Sequence, residues 1–321
     1  MYLPGQVIEG IFHLVVDADK QTFNNVEVSF FGSSKVSFQK ADNCRIDCER
    51  GYHHGRMHNG VVRRPTHQPI RCHAVNAQRF INVSSKVELN GISVFFFANT
   101  ELSRGTHLCH FKIDIPVHWP FSFTGKYGKI KYELQATIRR PWKMNRHCDL
   151  EIVLLPSLGP LLGDPILPHP TIVRSVCDLK DTFFNCCCKS GSRKIIFDVT
   201  LAKAFYNVNR NMEFTVSVTN CTHFKLTHFF IYILCESLFS AEGAIQTKED
   251  SFVNTIIEHS IKSNETSSFQ AVIPVPDVLP SLDFTNIKLH YYLVVKAFGG
   301  KYKSDKSAVF KKNIILVGRD Y

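Results

Sequence analysis

The chain has 321 residues, 44% of them hydrophobic, and a formal net charge of +10. That length exceeds one ordinary core and favours two domains, and the hydrophobic share fits a globular chain and excludes a disordered one. No apolar run approaches the ~20 residues that span a bilayer. The longest, FFIYILC at 229–235, has the length of a core strand and stops at Glu236. No basic segment precedes the first apolar run, and Asp17 and Asp19 follow it, so a secretory leader is not expected. Eleven cysteines are an odd number without framework spacing, which reads as reduced thiols in the cytosol. On that reading the sequons at Asn82, Asn220 and Asn264 are chance matches. The positive balance permits acidic partners, but no basic block is longer than Arg63-Arg64, Arg139-Arg140 or Lys311-Lys312, and a nucleic-acid arm is excluded.

In chain order, strand signals dominate. VEVSFF (26–31), VSF (36–38) and ISVFFF (92–97) are rich in Val, Ile and Phe. Between them, residues 41–78 form a polar excursion rich in Cys, His and Arg. From Lys129 to Arg139 polar and apolar residues alternate: Ile130, Tyr132, Leu134, Ala136 and Ile138 share one face, and Lys129, Lys131, Glu133, Gln135, Thr137 and Arg139 the other. That period of two predicts a strand with one face on a core. Residues 156–170 hold five of the fourteen prolines, and 181–193 lead into a fresh strand. KIIFDVTLA (194–202) and MEFTVSVTN (212–220) alternate again, and no long amphipathic helix is visible. The pattern predicts an all-β chain of sandwiches, divided into residues 1–175 and 176–321.

The two parts share marks. YLPGQVIEGIFHLVV at 2–16 aligns with YNVNRNMEFTVSVTN at 206–220. IPV at 115–117 precedes IKYELQATI, and IPV at 273–275 precedes IKLHYYLVV, which pairs Leu134 with Tyr291 and Ile138 with Val295. Weak duplication on this scale predicts two similar sandwiches in tandem, not a solenoid.

Together these marks resemble the arrestin superfamily, and most closely its α-arrestin (arrestin domain-containing) type. YLPGQVIEG is similar to that family's Tyr-x-Pro-Gly-Gln/Glu turn. LSRGTHLCHFKIDIP with PFSFTGKYGKIKYELQATIRRPW resembles its most diagnostic block, and CCCKSG its entry into the second domain. The resemblance implies two immunoglobulin-like β-sandwich lobes, arrestin N-like and C-like. It implies a cytoplasmic adaptor, peripheral at plasma membrane or endosomes, which binds receptor or transporter tails and aids their ubiquitin-linked endocytic or endosomal sorting. Two departures stand out. The family usually begins with a strand before the Tyr-x-Pro-Gly turn, whereas Met1 abuts that turn here. Either another segment covers the resulting edge or the chain is a shortened form. The chain also has no Pro-Pro-x-Tyr motif, which leaves only indirect recruitment of a ubiquitin ligase. Two related alternatives stay open: a phosphate- or lipid-sensing receptor-regulating arrestin, and a retromer-type arrestin-fold subunit. The Gly-Lys-Tyr-Gly block disfavours the latter.

The candidate binding face is Lys126, Lys129, Lys131, Arg139, Arg140, Lys143 and Arg146, seven cations against the single acid Glu133. It reads either as an anion-binding face for phosphorylated tails or anionic membrane, since Arg holds phosphate bidentately, or as the wet side of a strand. The Cys/His excursion (Cys44, Cys48, His53, His54, His58, His67, Cys72, His73) matches no paired zinc spacing, so no metal is expected. Cys186, Cys187 and Cys188 read as reduced loop cysteines in preference to acylated ones. G-x-S-x-G, H-E-x-x-H, G-x-G-x-x-G and P-loop patterns are absent, so neither enzyme chemistry nor a cofactor is expected. Trp119 and Trp142 are expected to pack at sheet ends.

Overall fold

The computed structural model describes residues 1–42, 79–156, 171–178, 194–203, 205–299 and 307–318. The Cys/His excursion from Cys44 onward and Cys186–Cys188 lie outside the described residues. In chain order the strands are β1 (Val7–Asp42), β2 (Arg79–Asp114), β3 (Phe123–Thr124), β4 (Gly128–Arg139), β5 (Arg146–Ile152), β6 (Thr171–Asp178), β7 (Lys194–Leu201) and β8 (Phe205–Asn207). They continue as β9 (Asn211–Cys221), β10 (Leu226–Ala241), β11 (Ala244–Ile261), β12 (Glu265–Pro274), β13 (Leu282–Asp283), β14 (Ile287–Gly299) and β15 (Ser307–Val317). No helix occurs among the described residues. The chain is all-β, as its alternation predicts.

β1 and β2 are far longer than ordinary strands, and register shifts at Val16/Lys20, Val26/Glu27 and Phe30/Gly32 interrupt their pairing. Val7–Val16 pairs with Gly105–Asp114, whereas Asn25–Val36 pairs with β4 and with the first half of β2. One long hairpin therefore feeds both layers of the first lobe. The second lobe uses separate strands: a sheet ordered β12-β9-β7-β6 faces one ordered β11-β10-β14-β15-β8, with β13 on β14. β6, which spans the expected 175/176 boundary, is hydrogen-bonded into the second lobe.

β4 buries the face that its sequence predicts. Ile130, Tyr132, Leu134 and Ala136 are buried, and Ile138 packs on a second cluster of Leu14, Val16, Phe23, Val26 and Leu102. Trp119 stacks on Tyr132 at 5.4 Å and lies 5.3 Å from Phe30, so it packs in the core as expected. Trp142 does not: it is fully exposed at 103% relative accessibility and has φ +56°. The cause is local. β4 ends at Arg139, and Trp142 falls in the turn leading to β5, beyond reach of either sheet's inner face.

Hydrogen bonds show the duplication atom by atom. The Tyr132 hydroxyl donates to Pro120 O at 2.5 Å, and Tyr291 to Leu279 O at 2.6 Å. Ser122 Oγ accepts from Leu154 N, and Ser281 Oγ from Leu316 N, both at 3.0 Å. Gly5 N donates to Ile115 O and Asn209 N to Val275 O, with φ positive at both turn residues. The N-terminal marks thus align as expected, Tyr2 with Tyr206 and Gly5 with Asn209. The later pairing needs correction: Tyr132, not Leu134, is the counterpart of Tyr291, and Ile115 matches Val275. A slip of two leaves every side chain on the same face, so periodicity cannot detect it.

The lobes meet through a contact with a buried centre. Phe239 of β10 packs on Tyr127 and Phe123 of the first lobe at 5.6 and 6.2 Å. Buried Ser34 Oγ donates to buried Asn286 Oδ1 at 2.6 Å. A Cβ on Gly128 would meet Ile287 and Val36 at 3.0 Å, so the Gly-Lys-Tyr-Gly block passes close against the second lobe.

Candidate functional site

The polar face of β4 lies in a sheet whose neighbours alter its charge. Register sets Lys35 opposite both Lys86 and Lys129, a row of three lysines across β2, β1 and β4. Cations alternate with acids beyond that row. Lys131 Nζ reaches both oxygens of Glu151, at 2.9 and 3.0 Å. Arg139 Nη2 donates to Glu27 Oε1 at 2.9 Å, and Asn25 Nδ2 satisfies the other oxygen of this nearly buried carboxylate at 3.0 Å. Gln135 Nε2 donates to Asp149 at 2.7 Å. Within the row, Lys86 bonds Glu88 at 2.6 Å and, with Lys35 assisting, holds its carboxyl below the usual range.

The seven predicted cations therefore separate. Lys131 and Arg139 are engaged with carboxylates, and Lys126 lies 5.0 Å from the Tyr127 ring centroid. Arg140 is half-buried, with one long bond from Nη2 to Met144 O at 3.5 Å. Lys129, Lys143 and Arg146 are exposed and make no ion pair among the described residues. Sequence reasoning missed Lys35 and Lys86; only strand pairing brings them beside Lys129.

The turn between β4 and β5 has a different character. Trp142 is bare and Met144 is 89% exposed, with Arg140, Lys143 and Arg146 around them. An exposed indole flanked by cations is an amphiphilic tip suited to the interfacial zone of an anionic membrane.

A cavity of about 580 Å³ opens where the two duplicated turns meet, lined by Trp119 and Phe121 on one side and Pro280, Leu282 and Leu316 on the other. Its wall is mainly apolar, with His118, Asp283 and His290 at polar points. The hydrogen bond between Ser267 Oγ and His259 Nε2, at 2.8 Å, lies outside this cavity, and His259 contacts Phe229 and Phe269. No group of three His, Cys, Asp or Glu among the described residues could hold a metal ion.

Comparison with known proteins agrees with this architecture. Residues 1–158 match the family model for the arrestin (or S-antigen) N-terminal domain, and residues 191–317 that for the arrestin C-terminal domain. The chain is also similar to arrestin domain-containing protein 15 of Caenorhabditis elegans, with 22% identity over 217 residues. That match covers 63% of this chain and 57% of the relative, so the chain spans little more than half of that protein's length. With both lobes matched and the duplicated turns in place, this chain belongs to the arrestin superfamily.

Proposed function

We propose that this chain is a cytoplasmic adaptor, peripheral at plasma membrane or endosomes, that binds receptor or transporter tails for endocytic or endosomal sorting. It reaches the ubiquitin machinery indirectly, and it acts by binding, not by catalysis. The observation that supports this most is the exposed, cation-flanked tip of Trp142 and Met144 on a two-lobed arrestin body. The tip rests on an anionic membrane surface while the lobes hold the tail. The lysine row Lys86–Lys35–Lys129 favours phosphorylated tails.

Proximity labelling in cells tests the reading. Enrichment of transporters and endosomal proteins supports it, and recovery of metabolic complexes alone refutes it. Lys143→Glu with Arg146→Glu should weaken binding to phosphatidylserine vesicles by roughly 1 kcal/mol per charge removed at low salt. Unchanged binding removes the membrane contact.

A further inference from the structure

The two lobes differ at one strand edge. In the second lobe β9 lies between β12 and β7. Its counterpart in the first lobe, Val7–Val16, pairs with β2 on one side and with no strand on the other among the described residues. The side chains differ as well. The outward positions Thr215, Ser217 and Thr219 of β9 correspond to Ile11, His13 and Val15 of β1, and Ser268 of β12 corresponds to Leu108 of β2. Ile11, Val15 and Leu108 are 48%, 61% and 56% exposed. At these matched positions the doubly paired β9 presents hydroxyls, whereas the first-lobe strand, open on one side among the described residues, presents aliphatic side chains.

The backbone orientation follows from two bonds. Ile115 N donates to Gln6 O at 2.9 Å, and Gly5 N donates to Ile115 O at 2.9 Å. Gln6 thus faces β2, and alternation turns the even-numbered residues of this segment toward β2. The N–H and C=O groups of Val7, Glu9, Ile11, His13 and Val15 point to the open edge, and the same residues carry the outward side chains.

We propose that this edge pairs with a second copy of itself, antiparallel about a two-fold axis at Ile11. The sequence is self-complementary in that register. Ile11 faces Ile11 of the second copy, Glu9 faces its His13, and Val7 faces its Val15, every pair joining edge-facing backbone groups. Glu9, already bonded to Lys112 at 2.7 Å, then lies between two basic groups. Shifting the register by two in the β1 sequence sets Glu9 opposite either Val15 or Ile11 and loses the charge match. The product is one sheet running through both copies, ordered β2-β1-β1-β2, which satisfies the ladder groups that no described strand pairs and buries the aliphatic patch. The inference is independent of the cargo reading.

Sedimentation equilibrium on the unaltered full chain should show a monomer–dimer equilibrium. Ile11→Lys sets two lysines on the axis and should raise the dimer dissociation constant by about tenfold or more, with circular dichroism and melting unchanged because position 11 faces outward. Glu9→Lys should weaken association, and adding His13→Glu should restore it by rebuilding the pair with its signs reversed. A chain that stays monomeric at high micromolar concentration overturns the proposal. A dimer indifferent to Ile11→Lys, or a reversed pair that fails to restore association, overturns it too.

Discussion

β9 and the first ten residues of β1 hold equivalent places in the two lobes, and both follow a Tyr-containing turn with positive φ. Both alternate, and both bury their inner faces: β9 in the main hydrophobic cluster, and the first ten residues of β1 partly there, through Ile8, and partly in the second cluster, through Leu14 and Val16. They differ in company. β9 has strands on both sides and Thr215, Ser217 and Thr219 outside, whereas Val7–Val16 has β2 alone among the described residues and Ile11, His13 and Val15 outside. The difference separates two determinants that are easily confused. The inner face sets the fold, and the outer face follows what lies beside the strand.

The largest effect that would break this comparison is in β7, the strand with no described counterpart in the first lobe. Phe197 is fully buried and 6.1 Å from Phe310. Phe197→Ala should cost about 3–5 kcal/mol in urea unfolding. A loss under about 1 kcal/mol would make β7 a cover only and would erase the contrast between lobes.

Next come the matched tyrosines. Tyr132→Phe and Tyr291→Phe should each cost about 1 kcal/mol, and nearly equally, because each removes the same part-buried bond to a carbonyl. Burial raises both phenols above their ordinary value. The folded state therefore holds these protons more tightly than the unfolded chain does. The linked stability is complete below the ordinary pKa of about 10 and is lost as pH rises toward the higher folded value. Melting temperature should fall above about pH 10, and the double Phe variant should flatten that fall. Unequal costs would mean that the two turns are similar in shape but not in energetics.

A finer test is amide exchange. In dilute Ile11→Lys protein the amides of Glu9, His13 and Val15 should exchange faster than those of Glu213, Ser217 and Thr219, whose edge is closed by β7. Equal protection would mean that the first-lobe edge is covered. The smallest effect expected is in the outward side chains. Ile11→Thr and Val15→Thr, which copy Thr215 and Thr219, should change monomer stability by no more than about 0.5 kcal/mol.

Much of the architecture was legible from alternation alone. β4, β7 and β9 carry their core residues at every second position, and strict period two has few competing readings. The internal repeat was legible at the turn, where a Tyr and a positive-φ residue fix the alignment, but slipped by two in β4 and β14, where the pattern repeats. The candidate site was legible only in part. Counting charges along 126–146 cannot reveal Glu27, which bonds Arg139 from 112 positions away, or Glu151 beside Lys131. Nor could it supply Lys35 and Lys86. Trp142 misled for a related reason: an aromatic after a strand reads as packing, and only the path of the chain shows that nothing is there to pack on. Asn220 sits in a sequon, yet it is buried, with its amide donating to Phe224 O and Lys262 O.

Ser34 and Asn286 work as a latch between the halves. Both are sealed from water, and each supplies what the other needs. Any rotation that separates them by even an ångström or two strands two polar groups in a dry joint, at a penalty of about 1–3 kcal/mol each. With Phe239 wedged alongside, twisting one half against the other meets a steep initial barrier. Any change in the span between the halves therefore has to break this contact first.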